Sequence, residues 1–556
     1  MADFICVERL AFGPWPALER AIARLLEHGG FKDVLVVGGA GDHGADVVGT
    51  LDGVRWLVQA KFRGASAADS AGPREAVRAM TAYDARVAIA ATNSKFTEDA
   101  YAFREATVRN GVDLRLWNGA FLRKYADNLH PESSARRSLR SYQAAAVESV
   151  EERRSAGKEE ALVIMATGLG KSLVASELVL QELQRNPAQE VLVLAHTKDL
   201  VRQLERSFWS QLEKGHPTHL WTDGEEPSFR GGVVFATWQS VNAALARGEP
   251  LEGRFGLVVV DEAHHAPSQA FRRLLSGLSP RFLLGLTATP WRGDEQRLDD
   301  LFGPPTYVMD IIDGMQQGFL ADVDYRLHTD GIDWDDIARR SKSGLTVKDL
   351  NTLLLMPERD VAMVSLIAEH MRTIPNARAL GFCRSIEHAE RLQPLFASFG
   401  VKTSVLHSRL SREERFKRLS SFRSGSIDFM LSVEMLNEGI DVPEVNLVAF
   451  MRVTHSRRIF IQQLGRGLRL SPEKSKVVVL DFVADIRRVA AGLSLNRDAA
   501  ERAREKEIVR FADGQIISFD TNKASAFFDE YLADVASIED LDQDARLRFP
   551  SFEEQM

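Results

Sequence analysis

The chain has 556 residues, of which 45% are hydrophobic and 27% are charged, and its formal net charge is −8. Such a length accommodates three or four domains with separate cores, and such a composition is typical of globular proteins. The negative net charge excludes a uniformly basic, histone-like surface, so any nucleic acid must be bound in local basic clefts.

Four elements are predicted in the first 62 residues. Apolar residues recur at helical spacing and then in short alternating runs, and Asp52-Gly53 between two such runs is a strong hairpin signal. The predicted elements are a helix over 16–28 and strands over 33–37, 45–50 and 54–62.

Three polar residues of this hairpin form a candidate nuclease site. Asp46 lies at the start of the first strand, while Gln59 and Lys61 are two apart on the second and therefore share a face. A carboxylate can hold Mg²⁺, and a lysine can orient the attacking water or stabilise the charge that develops in phosphodiester hydrolysis. The same residues are also common on solvent-exposed hairpins, and this interpretation stays open.

From about Pro16 to Tyr125 the chain resembles the Mrr-like branch of the PD-(D/E)xK restriction endonucleases. The resemblance rests on the segments 41–46 (GDHGAD) and 59–61 (QAK) and on the elements that follow them: a helix around 75–83, a strand over 87–91, a second helix opened by 92–96, and a strand over 112–117.

The resemblance implies that Asp46 is the metal-binding acid, Lys61 the catalytic lysine and Gln59 the second metal-site residue. Such nucleases commonly have an acid where this chain has Gln59, although members of this branch often carry glutamine there. Glutamine offers a neutral oxygen, so metal affinity could also depend on Asp42 or on Glu19 of the first helix.

A phosphate-binding loop is predicted downstream. An apolar strand over 161–165 is followed by the segment 166–172 (ATGLGKS) and an amphipathic helix. Backbone N–H groups of such a loop wrap the phosphates, the lysine reaches the β and γ phosphates, and the serine hydroxyl binds Mg²⁺. The residues that carry this prediction are Thr167, Gly168, Gly170, Lys171 and Ser172. Met165 stands where the strict pattern has glycine, which fits a helicase-type variant.

Three further segments are typical of an ATPase. Asp261 and Glu262 end an apolar strand, where the aspartate would hold Mg²⁺ and the glutamate would position or deprotonate the attacking water. The segment 286–290 (LTATP) follows another strand, and 462–469 (QQLGRGLR) supplies arginines that could complete the site from a second domain.

Across roughly 138–484 these motifs resemble the DEAH-type helicases and translocases of superfamily 2. The resemblance implies that Gln143, together with Arg140, contacts the adenine, that Gly439 and Asp441 lie near the nucleotide, and that Arg469 is the better arginine-finger candidate, with Arg466 beside it. The sequences of 287–294 and 310–325 are most similar to those of RadD-like and XPB-like motors and of the helicase subunits of type I and III restriction enzymes. This resemblance favours DNA over RNA as the nucleic acid along which the motor moves.

The predicted fold class is α/β: a restriction-endonuclease-like domain, two RecA-like parallel-sheet domains and a helical C-terminal segment. The predicted boundaries are 1–127 for the nuclease domain, 128–138 for a linker, 139–325 for the first ATPase domain, 326–360 for a connecting segment, 361–485 for the second ATPase domain and 486–556 for the extension.

Cysteine usage and hydropathy bear on the compartment. Cys6 and Cys383 match no metal-ligand spacing, which predicts two free thiols in a reducing cytoplasm. No apolar run approaches the ~20 residues that span a bilayer, and the N-terminus lacks the pattern of a secretory signal. We therefore expect a cytoplasmic protein without a membrane segment.

The leading functional hypothesis is an ATP-dependent DNA translocase or helicase that carries a Mg²⁺-dependent endonuclease on a tether of about ten residues, in restriction or anti-phage defence. The alternative is a RadD-like repair helicase whose nuclease-like domain binds or senses DNA without cutting. A nucleotide-gated scaffold is disfavoured because Lys171, Glu262 and Arg469 are all present. The expected cofactors are ATP and Mg²⁺, and the expected partner is DNA; homo-oligomers and a defence-system partner protein stay open.

Overall fold

A computed structural model provides the structure of the chain. It describes residues 4–38, 44–64, 66–266, 269–288, 298–327, 345–346, 359–383, 385–433, 445–451, 468, 474, 476–482, 509–511 and 546–547. Over these residues the fold is α/β, as predicted, with one five-stranded sheet and two seven-stranded sheets.

The N-terminal domain is built on the five-stranded sheet. Its elements are the helices α1 (Val7–Phe12), α2 (Trp15–His28), α3 (Ala71–Tyr83), α4 (Glu98–Arg109) and α5 (Gly119–Asn128) and the strands β1 (Lys32–Val36), β2 (Val47–Leu51), β3 (Val54–Lys61), β4 (Val87–Thr92) and β5 (Asp113–Trp117). The strands follow one another in chain order across the sheet. Apolar residues of α2 cover one face of the sheet, and those of α3 cover the other.

The predicted hairpin is confirmed. Strands β2 and β3 pair antiparallel, with Val47 opposite Val58 and Leu51 opposite Val54. Both turn residues, Asp52 and Gly53, have positive φ values of 50° and 78°. This conformation gives a two-residue hairpin turn whose twist matches that of the strands. The register fixes which residues of β3 share a face with the start of β2.

The first ATPase domain contains the helices α6 (Ser141–Ser155), α7 (Lys171–Arg185), α8 (Lys198–Trp209), α9 (Trp238–Ala246), α10 (Gln269–Leu278), α11 (Asp299–Phe302) and α12 (Ile311–Gln316) and the strands β6 (Glu160–Met165), β7 (Glu190–Ala195), β8 (Thr218–Trp221), β9 (Val233–Thr237), β10 (Phe255–Asp261), β11 (Phe282–Thr287) and β12 (Pro305–Met309). All seven strands are parallel, in the order β12-β6-β11-β10-β7-β9-β8.

This strand order places the predicted ATPase motifs at one edge of the sheet. The phosphate-binding loop follows β6, Asp261 ends β10, and Thr287 ends β11, which lies between them. Because the carboxyl ends of parallel strands meet at the same edge, segments more than a hundred residues apart converge there. The strands are buried on both faces, as their near-continuous apolar sequences require.

The second ATPase domain is built on the other seven-stranded sheet, again with parallel strands. Its elements are β13 (Asp322–Leu327), α13 (Arg359–Thr373), β15 (Ala379–Cys383), α14 (Ile386–Ser398), β16 (Thr403–Leu406), α15 (Arg412–Arg423), β17 (Phe429–Ser432), β18 (Leu447–Met451), β19 (Lys476–Asp481) and β20 (Val509–Phe511); a separate short pair joins β14 (Leu345–Thr346) and β21 (Arg546–Leu547). The order is β16-β17-β15-β18-β19-β13-β20.

Two parts of this sheet differ from the predicted boundaries. Strand β13, which the prediction places mostly in the first ATPase domain, pairs with β19 in the second sheet. We therefore propose that the first ATPase domain ends before Asp322. Strand β20 comes from the extension predicted to be helical, and it pairs with β13. Arg546–Leu547 of the same extension form strand β21, while the helices predicted for the rest of 486–556 and most of the connecting segment lie outside the described residues.

Candidate functional site

The candidate nuclease site brings Asp46 and Gln59 into direct contact. The Gln59 Nε2 donates a hydrogen bond to Oδ2 of Asp46 at 2.7 Å, and the Ala60 backbone N–H donates to the same oxygen at 2.6 Å. Asp46 itself is held between strands, because its N–H donates to the Val58 carbonyl and its carbonyl accepts from Val37. Both side chains are 4% exposed. Two N–H groups therefore fix one carboxylate oxygen of Asp46 in a buried setting.

Lys61 lies at the end of the same strand and pairs with an acid that the sequence reasoning did not single out. Its Nζ is 2.5 Å from Oε2 of Glu75 in α3, and the two side chains are 27% and 34% exposed. Two glycines make room for this arrangement, because a Cβ at Gly44 would lie 2.8 Å from the Glu75 Cβ and one at Gly72 would lie 3.0 Å from the Lys61 Cγ. Glu75 belongs to none of the sequence motifs. The only sequence feature that could have drawn attention to it is its position in the second turn of a helix.

The donor set fits a hard cation such as Mg²⁺. The Oε1 of Gln59 is buried and accepts no hydrogen bond from the described residues, which leaves a neutral oxygen beside the Asp46 carboxylate. Glu19 of α2 adds a second carboxylate, since a Cβ at Gly38 would lie 2.8 Å from Oε2 of Glu19 and 3.0 Å from Oδ1 of Asp46. Carboxylate and amide oxygens are the ligands that Mg²⁺ takes in proteins.

The phosphate-binding loop has the backbone that its chemistry requires. Gly168 and Gly170 have φ values of 96° and 85°, a conformation that glycine adopts without strain, and Gly170 caps the start of α7. Lys171 reaches back over the loop, with its Nζ 3.4 Å from the Met165 carbonyl and 3.9 Å from Oε1 of Glu262. Thr167 and Ser172 are partly exposed at the mouth of the loop. The loop can therefore receive phosphates at the N-terminus of α7.

The acids at the end of β10 form the second half of this site. Burial, reinforced by the adjacent Glu262 carboxylate, raises the pKa of Asp261 to about 7, and Lys171 partly opposes the rise. Glu262 has a left-handed backbone, with φ 49° and ψ 52°, which is uncommon for a residue other than glycine and is concentrated at functional sites. Its carboxylate lies 3.3 Å from Nδ1 of His264, and that nitrogen is 2.9 Å from the Thr287 hydroxyl. The end of β10 is thereby joined to the end of β11.

Gln143, the residue predicted to contact the adenine, forms hydrogen bonds within the protein. Gln143 is 4% exposed; its Nε2 donates to the Leu169 carbonyl at 2.8 Å, and its Oε1 accepts from the Arg140 N–H at 2.9 Å. A Cβ at Gly170 would lie 2.5 Å from the same Nε2. Gln143 thus joins α6 to the phosphate-binding loop. It would have to exchange one of these partners to bind a base, so the adenine contact of Gln143 and Arg140 stays a prediction.

Five predicted site residues lie outside the described residues. They are Asp42 in the glycine-rich segment, Gly439 and Asp441 in the second ATPase domain, and the two arginine-finger candidates Arg466 and Arg469. Their roles stay predictions.

The nuclease domain is docked on the first ATPase domain, and the tether of about ten residues between them stays a prediction. Residues 129–138 form neither a helix nor a strand, and the motor contacts this segment: Gln211 exchanges two hydrogen bonds with Arg137, and Lys214 Nζ donates to the carbonyls of Asp127 and Leu129. Trp209 of α8 is 3% exposed and packs in the hydrophobic core of the nuclease domain. The two domains therefore share a core and a network of polar contacts.

One cleft of about 1440 Å³ extends from helix α2 of the nuclease domain to the phosphate-binding loop. Glu19 and Gly38 line it from the nuclease domain, Gly170 and Ser172 from the phosphate-binding loop, and Arg415 from the second ATPase domain. The nuclease metal-site helix and the nucleotide loop therefore open on the same space.

Three protein-family models match the chain, and each matches a region that contains most strands of one of the three large sheets. The restriction endonuclease family Mrr_cat matches residues 13–125, the type III restriction enzyme res subunit family matches 136–292, and the helicase conserved C-terminal domain family matches 362–471. Most of the nuclease and motor residues discussed above fall within these three ranges.

Relatives among curated proteins are distant. The type I restriction enzyme EcoAI endonuclease subunit of Escherichia coli is 25% identical over 442 residues, which covers 69% of this chain and 53% of that protein. The DNA 3'-5' translocase XPB2 of Sulfurisphaera tokodaii is 25% identical over 380 residues, covering 61% of this chain and 80% of that protein. The chain spans about half the length of the EcoAI subunit.

A solved structure shares the fold over most of the chain. The ATP-dependent type ISP restriction-modification enzyme LlaBIII bound to DNA superposes with a TM-score of 0.54 at 17% identity, covering 94% of this chain and 42% of that chain. With the three family matches, this similarity identifies the architecture. The chain carries an N-terminal domain that matches the restriction endonuclease family Mrr_cat, followed by regions that match the type III restriction enzyme res subunit family and the helicase conserved C-terminal domain family.

Proposed function

We propose that the protein is an ATP-driven DNA translocase that carries a Mg²⁺-dependent DNA endonuclease and acts in restriction or anti-phage defence. The observation that carries the proposal is the shared cleft, which joins the metal-site helix of a restriction endonuclease domain to the phosphate-binding loop of a helicase. The EcoAI subunit and LlaBIII are named as restriction enzymes, which supports the biological role by similarity.

In the nuclease half, this chain's residues would bind and orient the scissile phosphate. Asp46 and the Gln59 Oε1 would hold Mg²⁺, which supplies a polarised phosphate and an activated water when bound. Lys61 would stabilise the charge that develops on the phosphate, once DNA displaces its partner Glu75. The buried Asp46–Gln59 hydrogen bond keeps both groups in place without substrate.

In the motor half, the loop residues Thr167, Gly168, Gly170, Lys171 and Ser172 would hold the ATP phosphates. Asp261 and Ser172 would hold the Mg²⁺ of the nucleotide, and Glu262 would position the attacking water. Arg469, with Arg466 beside it, would complete the site from the second ATPase domain, where Gly439 and Asp441 would lie near the nucleotide. Closure and reopening of the two domains would move the DNA.

The proposed compartment is the cytoplasm. Cys6 and Cys383 are buried and are not joined in a disulfide, a state that a reducing compartment preserves. A partner protein or a homo-oligomer fits the proposal but is not required by any contact described here.

The test incubates the protein with Mg²⁺, ATP and labelled duplex, forked or single-stranded DNA, and also with methylated and phage-modified duplexes. The salt concentration is held constant across the DNA forms, because binding through phosphate contacts depends on it. The proposal expects DNA-stimulated ATP hydrolysis and cleavage of at least one of these forms. Lys61→Ala should abolish the cleavage and leave the ATPase intact. Cleavage that persists in Lys61→Ala at the wild-type rate would contradict the nuclease assignment.

The alternative is a RadD-like repair helicase whose nuclease-like domain binds or senses DNA without cutting. One observation favours it: Lys61 is already neutralised by Glu75, and Gln59 replaces the usual acid. It predicts ATPase or strand separation on forked DNA, with no cleavage of any DNA form by the wild type.

A further inference from the structure

Two buried arginines of the nuclease domain reach into the first ATPase domain. Arg9 Nη2 donates to the Thr218 carbonyl at 2.6 Å, and Arg24 Nη1 donates to the His216 carbonyl at 2.7 Å. In the opposite direction, Arg206 of α8 donates to the Val34 carbonyl. Arg9 is 3% and Arg24 is 1% exposed. Arg9 also donates to the Gly13 carbonyl within its own domain, but much of the hydrogen bonding that stabilises these buried charges crosses the domain boundary.

Arg20 is the centre of the ionic part of this interface. Its Nε lies 2.9 Å from Oε2 of Glu205 in α8, and its two terminal nitrogens lie 2.5 and 3.0 Å from the two carboxylate oxygens of Glu225. Glu205 is 1% exposed, and its Oε1 accepts a hydrogen bond from the Thr218 hydroxyl at 2.8 Å. Removal of one member of such a network leaves an uncompensated buried charge, so the position of Arg20 depends strongly on the motor.

The residue before Arg20 is Glu19, whose carboxylate faces the nuclease site. Its Oε2 and the Asp46 Oδ1 lie within 2.8 and 3.0 Å of the same point beside Gly38. Glu19 is 5% exposed. Because α2 is a continuous helix over Trp15–His28, a shift of the turn that Arg20 anchors also moves Glu19 relative to Asp46.

Helix α8 provides the anchor on the motor side. It begins directly after His196 and Thr197, which follow β7, and Thr197 caps it through a hydrogen bond to the Leu200 N–H. The same helix presents Glu205 to Arg20 two turns later. The element that holds the nuclease helix thus begins at the motif-bearing edge of the first ATPase sheet.

We propose that Arg20 and Glu205 are positioning residues for the nuclease metal site: their ion pair holds α2 on the motor so that Glu19 reaches the cation beside Asp46. The inference rests on the proposed nuclease function and deepens it, since it makes the metal site dependent on contact with the first ATPase domain. Arg20 and Glu205 do not touch the substrate in this account.

The experiment measures Mn²⁺ binding by the full-length chain without nucleotide, using titration calorimetry, alongside Mg²⁺-dependent cleavage. Asp46→Asn defines binding at the nuclease site. Arg20→Gln and Glu205→Gln should each weaken this Mn²⁺ binding by about tenfold or more, as loss of outer-sphere partners does at metal sites. The Mg²⁺ concentration for half-maximal cleavage should rise in parallel. Arg20→Lys, which keeps the charge but not the two-sided contact, should recover part of the loss.

The matched control is Asp223→Asn, which removes ion pairs from Lys198 and Arg202 of the same helix α8, whereas Asp223 forms no ion pair with a nuclease residue among those described. It should bind Mn²⁺ as the wild type does. Thermal melting and DNA-stimulated ATPase check that every variant is folded. In a Glu19→Gln background, Arg20→Gln should weaken Mn²⁺ binding no further, because the two changes act through one group.

Wild-type Mn²⁺ affinity in Arg20→Gln and Glu205→Gln, or an undiminished effect of Arg20→Gln in the Glu19→Gln background, would overturn the positioning role. Either result leaves the proposed function standing if Asp46→Asn neither binds Mn²⁺ nor cuts. Wild-type cleavage by Asp46→Asn would instead contradict the proposed function itself.

Discussion

Gln59 donates a hydrogen bond from its Nε2 to Oδ2 of Asp46 at 2.7 Å, with both side chains buried. An ionised glutamate or aspartate at position 59 could not make this bond, because it has no hydrogen to donate. The glutamine therefore stabilises the metal-free site, and it still presents its Oε1 as a neutral ligand. Its presence does not mark the site as inactive.

The first prediction concerns Gln59→Glu. The change places a second carboxylate against Asp46 and removes a buried hydrogen bond, so the metal-free protein should lose about 1–3 kcal/mol of stability. Added Mn²⁺ should raise the melting temperature of the variant more than that of the wild type, because the site gains a negative ligand. Melting curves with and without Mn²⁺ measure both effects. Identical curves for the two proteins without metal would show that the Gln59–Asp46 bond contributes nothing.

A second prediction separates the roles of Lys61 and Glu75. Glu75→Gln removes the partner of Lys61 and leaves the lysine available to a DNA phosphate. The KM for DNA cleavage should fall by about two- to fivefold, a small change because the pair is partly exposed. Lys61→Met should instead lower kcat. A loss of kcat in Glu75→Gln as large as that in Lys61→Met would assign Glu75 to the chemistry and refute this reading.

A third prediction tests the motor. Glu262→Gln removes the group that positions water, and Lys171→Ala removes the cation nearest the phosphates. Each should lower ATP hydrolysis by about 100-fold or more, the usual cost of losing one group that stabilises the transition state. Glu262→Gln should still bind ATP, which fluorescent nucleotide titration would show, whereas Lys171→Ala should bind it weakly. ATPase activity that survives Lys171→Ala would rule out the motor assignment.

A fourth prediction concerns pH and the nuclease–motor contact. Burial lowers the pKa of His28, His216 and His219, the last of them well below its usual value, with Arg9 adding to the effect. The unfolded chain takes up protons on these histidines below about pH 6.5 while the folded protein resists them, so stability falls as the pH drops through that range. Asp261 and half-buried Glu27, whose pKa values are both raised, oppose this trend, Asp261 near pH 7 and Glu27 at lower pH.

Melting temperatures at pH 7.5 and 5.5 measure this effect. The wild type should melt lower at pH 5.5, and His219→Gln should show a smaller drop, because glutamine cannot be protonated yet can still donate to the Gly231 carbonyl that His219 contacts. Equal drops in the two proteins would show that His219 does not titrate in the unfolding transition.

Local signals predicted much of the fold and both candidate sites. The Asp-Gly turn set the register of β2 and β3, and that register brings Gln59 to Asp46, with Lys61 two residues further along β3. The ATPase motifs each follow an apolar strand, and parallel strands bring their carboxyl ends together. These inferences need only a few neighbouring residues at a time.

The docking of the two halves could not be predicted in the same way. Arg20 and Glu205 are 185 positions apart in the sequence. In the sequence, each residue looks like an ordinary solvent-exposed charge on an amphipathic helix. The polar composition of 128–138 indicated an irregular linker between the two domains. It did not indicate that Gln211 and Lys214 of the first ATPase domain form hydrogen bonds with this part of the chain. Glu75 was missed for a similar reason, since only the packing of α3 against β3 brings it to Lys61.

The central claim is that one chain couples an ATP-driven DNA motor to a nuclease centred on Asp46. Its most direct test is the paired measurement of DNA-stimulated ATP hydrolysis and Mg²⁺-dependent DNA cleavage by the wild type and by Asp46→Ala. The account predicts that Asp46→Ala hydrolyses ATP as the wild type does but cuts DNA about 100-fold or more slowly. Cleavage by Asp46→Ala at the wild-type rate would contradict it.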